Sequence, residues 1–464
     1  MRGSPAVTDS PPPRSTAPDG SADLWSAGPV LSESDRALGR FVARPLREFL
    51  RVESAGSVLL LVAAAAALLW ANSPWSSSYF DFWHLHLGVE IGGFHVEETL
   101  QHWVNDALMV IFFFVVGLEI KHELVAGDLR DPRTAALPIV AAIGGMVVPA
   151  GLYAVVAGGG DAATGWGIPM ATDIAFAVGV LGILGRRIPS AARLFLLTLA
   201  IVDDIGAIVV IAVFYTADLD LVWLAVALGL LAVVVVMRLL RIWVVPAYVV
   251  VGFGVWFALL ESGVHATLAG VALGLLTPAS ALLREDVARE YALRALHDRS
   301  LDPEELANLR FLLAESVPMV ERLQRQLHPA SAYVVLPVFA LANAGVALGG
   351  GVLGEAVTSS VALGIGAGLV LGKPVGIVLA CVIAVRLGIG RMPDRTTWRQ
   401  VVGVGFVAGI GFTVSLFIAG LSFPDAPGLA EDAKVGILLA SAVAAAAGVV
   451  VLSLTGRPAP SRQE

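Results

Sequence analysis

The sequence predicts an all-α polytopic membrane protein, and three observations carry that prediction. The chain of 464 residues is 57% hydrophobic and only 15% charged, whereas soluble domains carry roughly 25% charged residues. Apolar runs long enough to cross a hydrocarbon core of about 30 Å recur between residues 57 and 456. Lys and Arg cluster in alternate connections between these runs, as expected when each run crosses a membrane.

The N-terminal segment, residues 1–45, precedes the first apolar run and is rich in Pro, Ser, Ala and Gly. Such a segment buries too little apolar surface to order itself, so we expect a disordered cytoplasmic tail. The first apolar run begins far from Met1 and lacks a small-residue cleavage site in the usual place, so we expect no signal peptide. Residues 46–456 then form the membrane domain, and residues 457–464 form a second cytoplasmic tail.

The apolar runs and the residues that interrupt them predict twelve transmembrane helices. Their approximate bounds are 57–72, 102–120, 134–157, 167–185, 192–215, 220–237, 243–260, 263–277, 330–348, 360–386, 400–421 and 433–455. Lys and Arg occur in every second connection between the predicted helices, apart from Lys434 at the edge of one of the others. A miscounted helix would break this alternation from that point onward. An even number of spans with basic ends places both termini in the cytoplasm.

Two segments between the spans carry signals of their own. Residues 84–97 alternate apolar and polar side chains around Gly92 and Gly93, a pattern typical of a tight hairpin turn. It predicts a small external β-hairpin, with a plain loop as the alternative. Residues 280–328 are charged and helix-prone, and they form the largest predicted cytoplasmic loop.

Four ionisable residues lie inside predicted spans: Asp173, Asp203, Asp204 and Lys373. Charge inside a bilayer is costly, so each is a candidate functional residue. Adjacent helical positions point about 100° apart, so one acid of the Asp203–Asp204 pair can face a cavity while the other meets a neighbouring helix. The alternative is a packing network of buried, satisfied carboxylates, and Lys373 can neutralise an acid without taking part in transport.

Two spans contain residues that weaken a regular helix. In the fourth span, Gly167 and Pro169 precede Thr172 and Asp173, and the eleventh span contains GIGFTVS at residues 409–415. Each span is the middle of a triple, as expected of inverted repeats with paired broken helices. A nearby Asp or Lys offsets the dipoles of half-helices, which gives Asp173 and Lys373 an electrostatic role.

Six motifs carry a family resemblance: WVNDALMVIFFFVVGLEIKHEL, ATDIAFA, LAIVDDIGAI, LPVFALANAGV, LGKPVGI and GIGFTVSLFIA. In order and spacing the chain resembles the NhaA family of bacterial sodium/proton antiporters from about residue 45 to 455. That family is itself a known example of inverted repeats with two broken helices crossing at the midplane. The resemblance implies that Asp203 and Asp204 bind Na⁺ and protons. It implies that Thr172, Asp173 and Lys373 form the crossing, with Lys373 near Asp203.

The resemblance also implies a function and a setting. It implies electrogenic exchange of cytoplasmic Na⁺, and of Li⁺, for external H⁺ by alternating access, serving sodium and pH homeostasis. It places the chain in the lipids of a bacterial inner membrane, as a homodimer paired through the 84–97 hairpin. Na⁺ and protons then compete for the same acidic oxygens. No motif indicates a prosthetic group, and no basic patch indicates nucleic-acid binding.

Four further titratable residues are candidates for a transport pathway or a pH response: Asp106, Glu119, Glu321 and His328. Asp106 and Glu119 lie near the ends of the second span, where simple surface exposure is an equal alternative. Glu321 and His328 lie where the resemblance implies a pH-sensing cluster. This chain departs from the family pattern there, with Gln324 and Arg325, which leaves the midpoint of pH activation open.

Three other functions fit parts of the pattern. A sodium-coupled symporter of an organic solute would need an additional substrate cavity. An intramembrane aspartyl protease also uses two buried acids, but from separate helices, whereas Asp203 and Asp204 are adjacent. A passive channel seldom conducts through a deeply buried acid pair. The single Cys381 excludes an intrachain disulfide.

Overall fold

The computed structural model describes residues 55–91, 94–216, 219–242, 244–284, 286–287, 289–291, 293, 302–349 and 352–455. The two predicted tails and the predicted turn residues Gly92 and Gly93 lie outside the described residues, as does part of the predicted 280–328 loop. The described chain is mostly helical. This confirms the helical class predicted from the sequence.

Seventeen helices are numbered here in chain order. The first nine are α1 Ala55–Ala71, α2 Ser76–Trp83, α3 Leu100–Val125, α4 Pro132–Ala157, α5 Ile174–Leu184, α6 Ser190–Phe214, α7 Leu221–Leu239, α8 Val245–Glu261 and α9 Leu268–Leu276. The others are α10 Pro303–Glu315, α11 Met319–Ala330, α12 Leu336–Asn343, α13 Val352–Thr358, α14 Ser360–Arg386, α15 Trp398–Ala408, α16 Phe412–Ser422 and α17 Pro427–Thr455. A 3₁₀ helix, Gly160–Met170, precedes α5.

Six helices in the described part of the chain are long and apolar enough to cross a membrane: α3, α4, α6, α7, α14 and α17. Three bent pairs meet the same test jointly. The pairs are α1 with α2, bent by 115°, Gly160–Met170 with α5, bent by 45°, and α15 with α16, bent by 47°. The predicted spans 243–260, 263–277 and 330–348 overlap the shorter helices α8, α9 and α12, which do not meet this length test by themselves. The chain is thus a polytopic helical membrane protein.

The helix of the ninth predicted span begins much earlier than residue 330. α11 starts at Met319 and runs through a π-helical turn, Ser331–Val335, directly into α12. A hydropathy profile assigns the charged residues of α11 to a loop. A helix that extends beyond the lipid can nevertheless carry such charges. Pro337 explains the π-helical turn, because it has no N–H to donate and its ring crowds the carbonyl one turn earlier.

Two antiparallel strands precede α3. β1, His86–Ile91, pairs with β2, Phe94–Thr99, in a register that sets Val89 opposite Val96. Thr99 then caps α3, since its side chain accepts a hydrogen bond from the backbone N–H of His102. The two strands are therefore continuous with the start of α3.

Glycines allow α4 and α14 to pack with their backbones in contact. A Cβ atom on Gly376 would lie 2.2 Å from the carbonyl oxygen of Gly144, and one on Gly144 would lie 2.4 Å from that of Gly376. Small residues permit such close approach between membrane helices. Gly145, one residue further on, faces the stem of Lys373. The close packing of α4 against α14 therefore fixes where the Lys373 side chain lies.

Candidate functional site

The first helix break lies between Met170, the end of the 3₁₀ helix, and Ile174, the start of α5. Ala171 and Asp173 have extended backbone conformations, and Asp173 caps α5 by accepting a hydrogen bond from the N–H of Phe176 (3.0 Å). A carboxylate at a helix N-terminus is favourable because the backbone N–H groups there carry partial positive charge. Asp173 thus caps the buried N-terminus of α5.

The second break, residues 409–411 between α15 and α16, lies against the first. The N–H of Asp173 donates to the carbonyl of Ile410 (2.6 Å), and the hydroxyl of Thr172 lies 2.8 Å from the carbonyl of Ala408. Ser415 donates to the carbonyl of Ile168 (2.7 Å). The backbone groups freed by each break are therefore satisfied by the other segment, as irregular backbone within a membrane protein requires.

Thr413 is a residue of this crossing that sequence reasoning did not assign to the site. Its hydroxyl donates to Oδ2 of Asp173 (2.6 Å), and its backbone N–H donates to the same oxygen (3.0 Å). In the sequence, Thr413 is only a threonine beside the glycines of GIGFTVS. Threonines are frequent in membrane helices, so only the pairing of the two breaks identifies the role of this one.

Replacing Thr413 with Val should weaken the crossing without removing a charge. The variant Thr413→Val loses a hydrogen bond to the buried Asp173 carboxylate, and we expect it to lower stability by roughly 1–3 kcal/mol. Thermal unfolding of the detergent-solubilised protein measures this. The matched control is Thr455→Val, because the hydrogen bonds described for Thr455 go to carbonyls of its own helix, α17. Equal stability of the two variants would contradict a supporting role for Thr413.

Asp203 and Lys373 form a fully buried ion pair beside the crossing. Nζ of Lys373 lies 2.5 Å from Oδ2 of Asp203, and both side chains are 0% exposed. Nζ also donates to Oγ1 of Thr172 (3.0 Å), whose hydroxyl lies 2.7 Å from the same Asp203 oxygen. The three side chains therefore form a closed triangle. Oδ1 of Asp203 is buried and has no hydrogen-bond partner among the described residues.

The position of Lys373 follows from its local sequence. α14 contains a π-helical turn, Ala367–Gly372, immediately before Lys373. Pro374 explains this turn, since it has no N–H to donate to the carbonyl one turn earlier and a wider turn relieves the clash. The turn ends at Lys373, and the lysine side chain points inward to the acid on α6.

Asp204, the second acid of α6, is buried but less tightly held. Its side chain is 5% exposed, and its Oδ1 atom has no hydrogen-bond partner in the described part of the chain. An unpartnered buried carboxylate oxygen is costly unless a proton or a cation neutralises it. Carboxylate and hydroxyl oxygens are suitable ligands for a small hard cation. The residues present therefore fit a cation or proton as cargo.

The structure brings one of the two span-end acids near this pair. Glu119 of α3 is half-buried and lies within electrostatic range of Asp204, as do Asp173 and Lys373. Asp106 lies elsewhere, in a π-helical turn of α3, Val104–Leu108, within electrostatic range of His102. Its backbone carbonyl accepts a hydrogen bond from the Trp256 indole (2.9 Å). Simple surface exposure describes neither acid.

Glu321 and His328 line the same cavity, whose lining does not include Asp203 or Asp204. This cavity of about 400 Å³ lies at the junction of α3 and α11, and its other lining residues are His122, Gln324, Arg325 and Pro329. His122 is the member of this group that sequence reasoning did not assign to it. It follows Lys121 at the end of α3, so only the packing of α3 against α11 brings it to the cavity.

Comparison with known proteins identifies the family of this chain. The sequence pattern of the family described as Na⁺/H⁺ antiporter 1 matches residues 47–452. The Na⁺/H⁺ antiporter NhaA 3 of Frankia alni is 51% identical over 422 residues, which cover 90% of this chain and 90% of the relative. This chain belongs to the NhaA family of Na⁺/H⁺ antiporters. It is accordingly a transporter and not an enzyme.

Two further NhaA relatives match over nearly their whole lengths. The NhaA 2 antiporter of Sorangium cellulosum is 45% identical over 456 residues, covering 96% of this chain and 97% of the relative. The NhaA antiporter of Rhodopirellula baltica is 47% identical over 430 residues, covering 90% and 96%. The family predicted from the sequence motifs is confirmed, and with it sodium/proton antiport across a membrane.

Proposed function

We propose that this antiporter moves Na⁺, and also Li⁺, out of the cytoplasm in exchange for external H⁺, with Asp203 and Asp204 as the shared binding site. The buried pair of adjacent acids carries the proposal, because one is paired with Lys373 and the other has an unpartnered oxygen. Family membership favours antiport over symport of an organic solute. Sodium and pH homeostasis would follow from this exchange.

Competition for the same oxygens explains the coupling. When protons are scarce, Na⁺ binds Asp204 and Oδ1 of Asp203, and it weakens the attraction between Asp203 and Lys373. When protons are abundant, they neutralise the acids and displace Na⁺. The site therefore changes sides with a cation or with protons bound, since an unneutralised acid pair is costly in a low-dielectric interior. This is alternating access with the cargo as the neutralising charge.

Exchange of unequal charge is the second part of the proposal. The site holds two acids and Lys373, which can release its own proton when the ion pair with Asp203 opens. More than one proton then enters for each Na⁺ that leaves, and the exchange is electrogenic. Asp173 stays outside this cycle because three described hydrogen bonds from Phe176 and Thr413 hold its carboxylate.

Pathway and pH roles are assigned by position. Glu119 is proposed as an acid of the cytoplasmic pathway because it lies near Asp204. Asp106 is proposed for the external pathway, at the opposite end of α3. Glu321 and His328 are proposed as pH-responsive groups, supported by the cavity that they share with His122. Gln324 and Arg325 in that cavity would shift the midpoint of activation.

The membrane setting is also proposed. Twelve spans with both termini in the cytoplasm of a bacterial inner membrane agree with the alternating basic connections. The two bent helix pairs that contain the breaks support inverted repeats. NhaA is itself a known example of this architecture. Homodimerisation through the 84–97 segment is supported by the β1–β2 pair, whose outer edges can accept a further strand.

Reconstituted liposomes test the proposed function. With a proton gradient reported by a pH dye, a pulse of NaCl or LiCl should dissipate the gradient without any organic solute, and choline chloride should not. Clamping the membrane potential with K⁺ and valinomycin should change the rate, because the exchange moves net charge. A proton gradient that does not change when Na⁺ is added would reject the proposed antiport. Sodium exchange at a rate independent of potential would reject electrogenicity alone.

A further inference from the structure

A cluster of three amide side chains joins α3 to α12, and the cation site makes no use of it. Asn343 is 5% exposed and ends α12. Its Nδ2 donates to Oδ1 of Asn105 (2.8 Å) and to the carbonyl of Phe339 (3.0 Å). Its Oδ1 accepts from Nδ2 of Asn105 (3.3 Å) and from Nε2 of Gln101 (3.0 Å). Both hydrogens and both lone pairs of the Asn343 amide are therefore engaged.

This amide cluster lies on the external side of the acid pair under the predicted orientation. α3 carries Asn105 near its start and Glu119 near its end. The fourteen residue steps from Asn105 to Glu119 correspond to about 21 Å of helix at roughly 1.5 Å per residue. Glu119 is the acid near Asp204, and Lys121 marks the predicted cytoplasmic end of the same helix. The cluster is thus separated from the acid pair along the transport direction.

Three buried phenyl rings lie along the helices that connect the cluster to the crossing. Phe113 of α3 and Phe339 of α12 both pack against Phe417 of α16, with ring centroids 5.3 Å and 6.4 Å apart. Phe339 stands one turn before Asn343, and Phe417 stands one turn after Thr413. A dry aromatic layer is a barrier to hydrated ions. The three rings thus connect the helices of the amide cluster, α3 and α12, to α16 of the crossing.

The helices on both sides of the cluster are irregular and braced. Asn105 lies within the π-helical turn Val104–Leu108 of α3, which the Trp256 indole holds through the carbonyl of Asp106. The end of α12 is held by Tyr79, whose hydroxyl donates to the carbonyl of Leu341 (2.8 Å) and accepts from the N–H of Gly345 (3.2 Å). π-Helical turns recur at functional sites. Here one presents Asn105 to the braced end of the opposite helix.

We propose that the Asn105–Asn343 amide pair is the external gate contact of this antiporter, formed when the site is closed to the outside and broken when it opens. The proposal rests on alternating access as proposed above. Amides suit this task because water replaces their hydrogen bonds at small net free energy. A buried ion pair would hold too firmly to open in each cycle. Neutral amides also leave no charge to trap a departing cation.

Reversible cross-linking tests the gate. Cys381 is the single cysteine of the chain, so Cys381→Ser gives a background for the pair Asn105→Cys with Asn343→Cys. The two cysteines are cross-linked in liposomes with a short reagent that reacts with a thiol at each end and contains a disulfide that can be reduced. We expect sodium-driven proton flux to fall at least about tenfold on cross-linking and to return on reduction, since gating motions must occur in every cycle. The same treatment should not change the flux of either single-cysteine variant relative to its own untreated value.

The possible outcomes separate the gate from the antiport itself. A cross-linked protein with full flux would overturn the gate, because the contact would then not need to open. A Cys381→Ser protein without any sodium-driven flux would instead count against the proposed function. A cross-linked protein that stays inactive after reduction, while uncross-linked protein is active, would also overturn the gate, since the damage would not be reversible closure.

A second variant tests the gate in case the double-cysteine protein folds or cross-links poorly. Asn343→Ala should change maximal flux by at least about fivefold while sodium binding, measured by calorimetry in detergent, stays within about twofold, because gating residues act on turnover and the acids are untouched. Asn72→Ala is the matched control, since Asn72 joins α1 to the segment after α12 through backbone groups of Val346 and Leu348. Parallel loss of flux and binding in Asn343→Ala would overturn the gate.

Discussion

Asp204→Asn should abolish exchange while leaving the protein folded. Replacing the carboxylate by an amide removes the charge that binds the cation, and roughly 3 kcal/mol of lost binding lowers sodium-driven flux by more than about 100-fold. Stability should not fall, because Oδ1 of Asp204 has no hydrogen-bond partner among the described residues to lose. Proton flux in liposomes and thermal unfolding in detergent measure the two effects separately.

The matched control for this variant is Asp220→Asn. Asp220 is exposed and caps α7 through hydrogen bonds from Val222 and Trp223, and Asn caps a helix about as well as Asp. The same chemical change there should leave flux and stability unchanged. Normal sodium exchange by Asp204→Asn would remove Asp204 from the binding site, and an unfolded variant would contradict its loosely held position.

The helical membrane class could be predicted because a bilayer admits only α-helices and closed β-barrels, and apolar runs of about 20 residues have the length of a helix. Apolar runs of sufficient length must be helical in lipid, since every backbone polar group has to find a partner within its own segment. The sequence therefore predicted the ends of α3, α4, α6, α7, α14 and α17 to within six residues. It did not predict that α11 continues directly into α12, because hydropathy does not distinguish a charged helix that precedes an apolar one from a loop.

The acids and the lysine of the site could be singled out because charge inside lipid is rare and costly. The cost of a buried charge does not indicate which residue pairs with it. The Lys373–Asp203 pair, 2.5 Å apart in the structure, was implied by family resemblance and did not follow from the spacing of the two residues. Their helices, α14 and α6, are far apart in sequence, and only tertiary packing brings them together.

The polar contacts of the crossing could not be predicted. The carbonyls of Ala408 and Ile410 bind Thr172 and Asp173 through backbone atoms, and any residue type supplies a carbonyl. Thr413 is similarly hidden, because a membrane threonine usually bonds to its own helix. Residues that act through backbone geometry leave no pattern in the sequence. The gate amides Asn105 and Asn343 are polar residues in apolar spans, a visible signal whose meaning depends on their reciprocal contact.

Lys373→Ala should be the most destabilising single change in the site. The variant leaves the Asp203 carboxylate fully buried, with the Thr172 hydroxyl as its one remaining hydrogen-bond partner among the described residues. Breaking a buried pair by removing one partner costs roughly 3–5 kcal/mol, because the remaining charge is uncompensated. We expect a clear fall in the thermal midpoint of the purified protein. Lys434→Ala is the control, since that half-buried lysine lies near the start of α17 and no ion pair within 4 Å is described for it.

The double variant Lys373→Met with Asp203→Asn decides whether the loss arises from the orphaned charge. Removing both partners of a buried ion pair is often neutral or stabilising, so the double variant should regain most of the stability lost in Lys373→Ala. It should still fail to exchange Na⁺ normally, since Asp203 is half of the acid pair. Stability as low as that of the single variant would mean that Lys373 holds the crossing through packing against Gly145 of α4. An unchanged thermal midpoint in Lys373→Ala would exclude the ion pair as a structural element altogether.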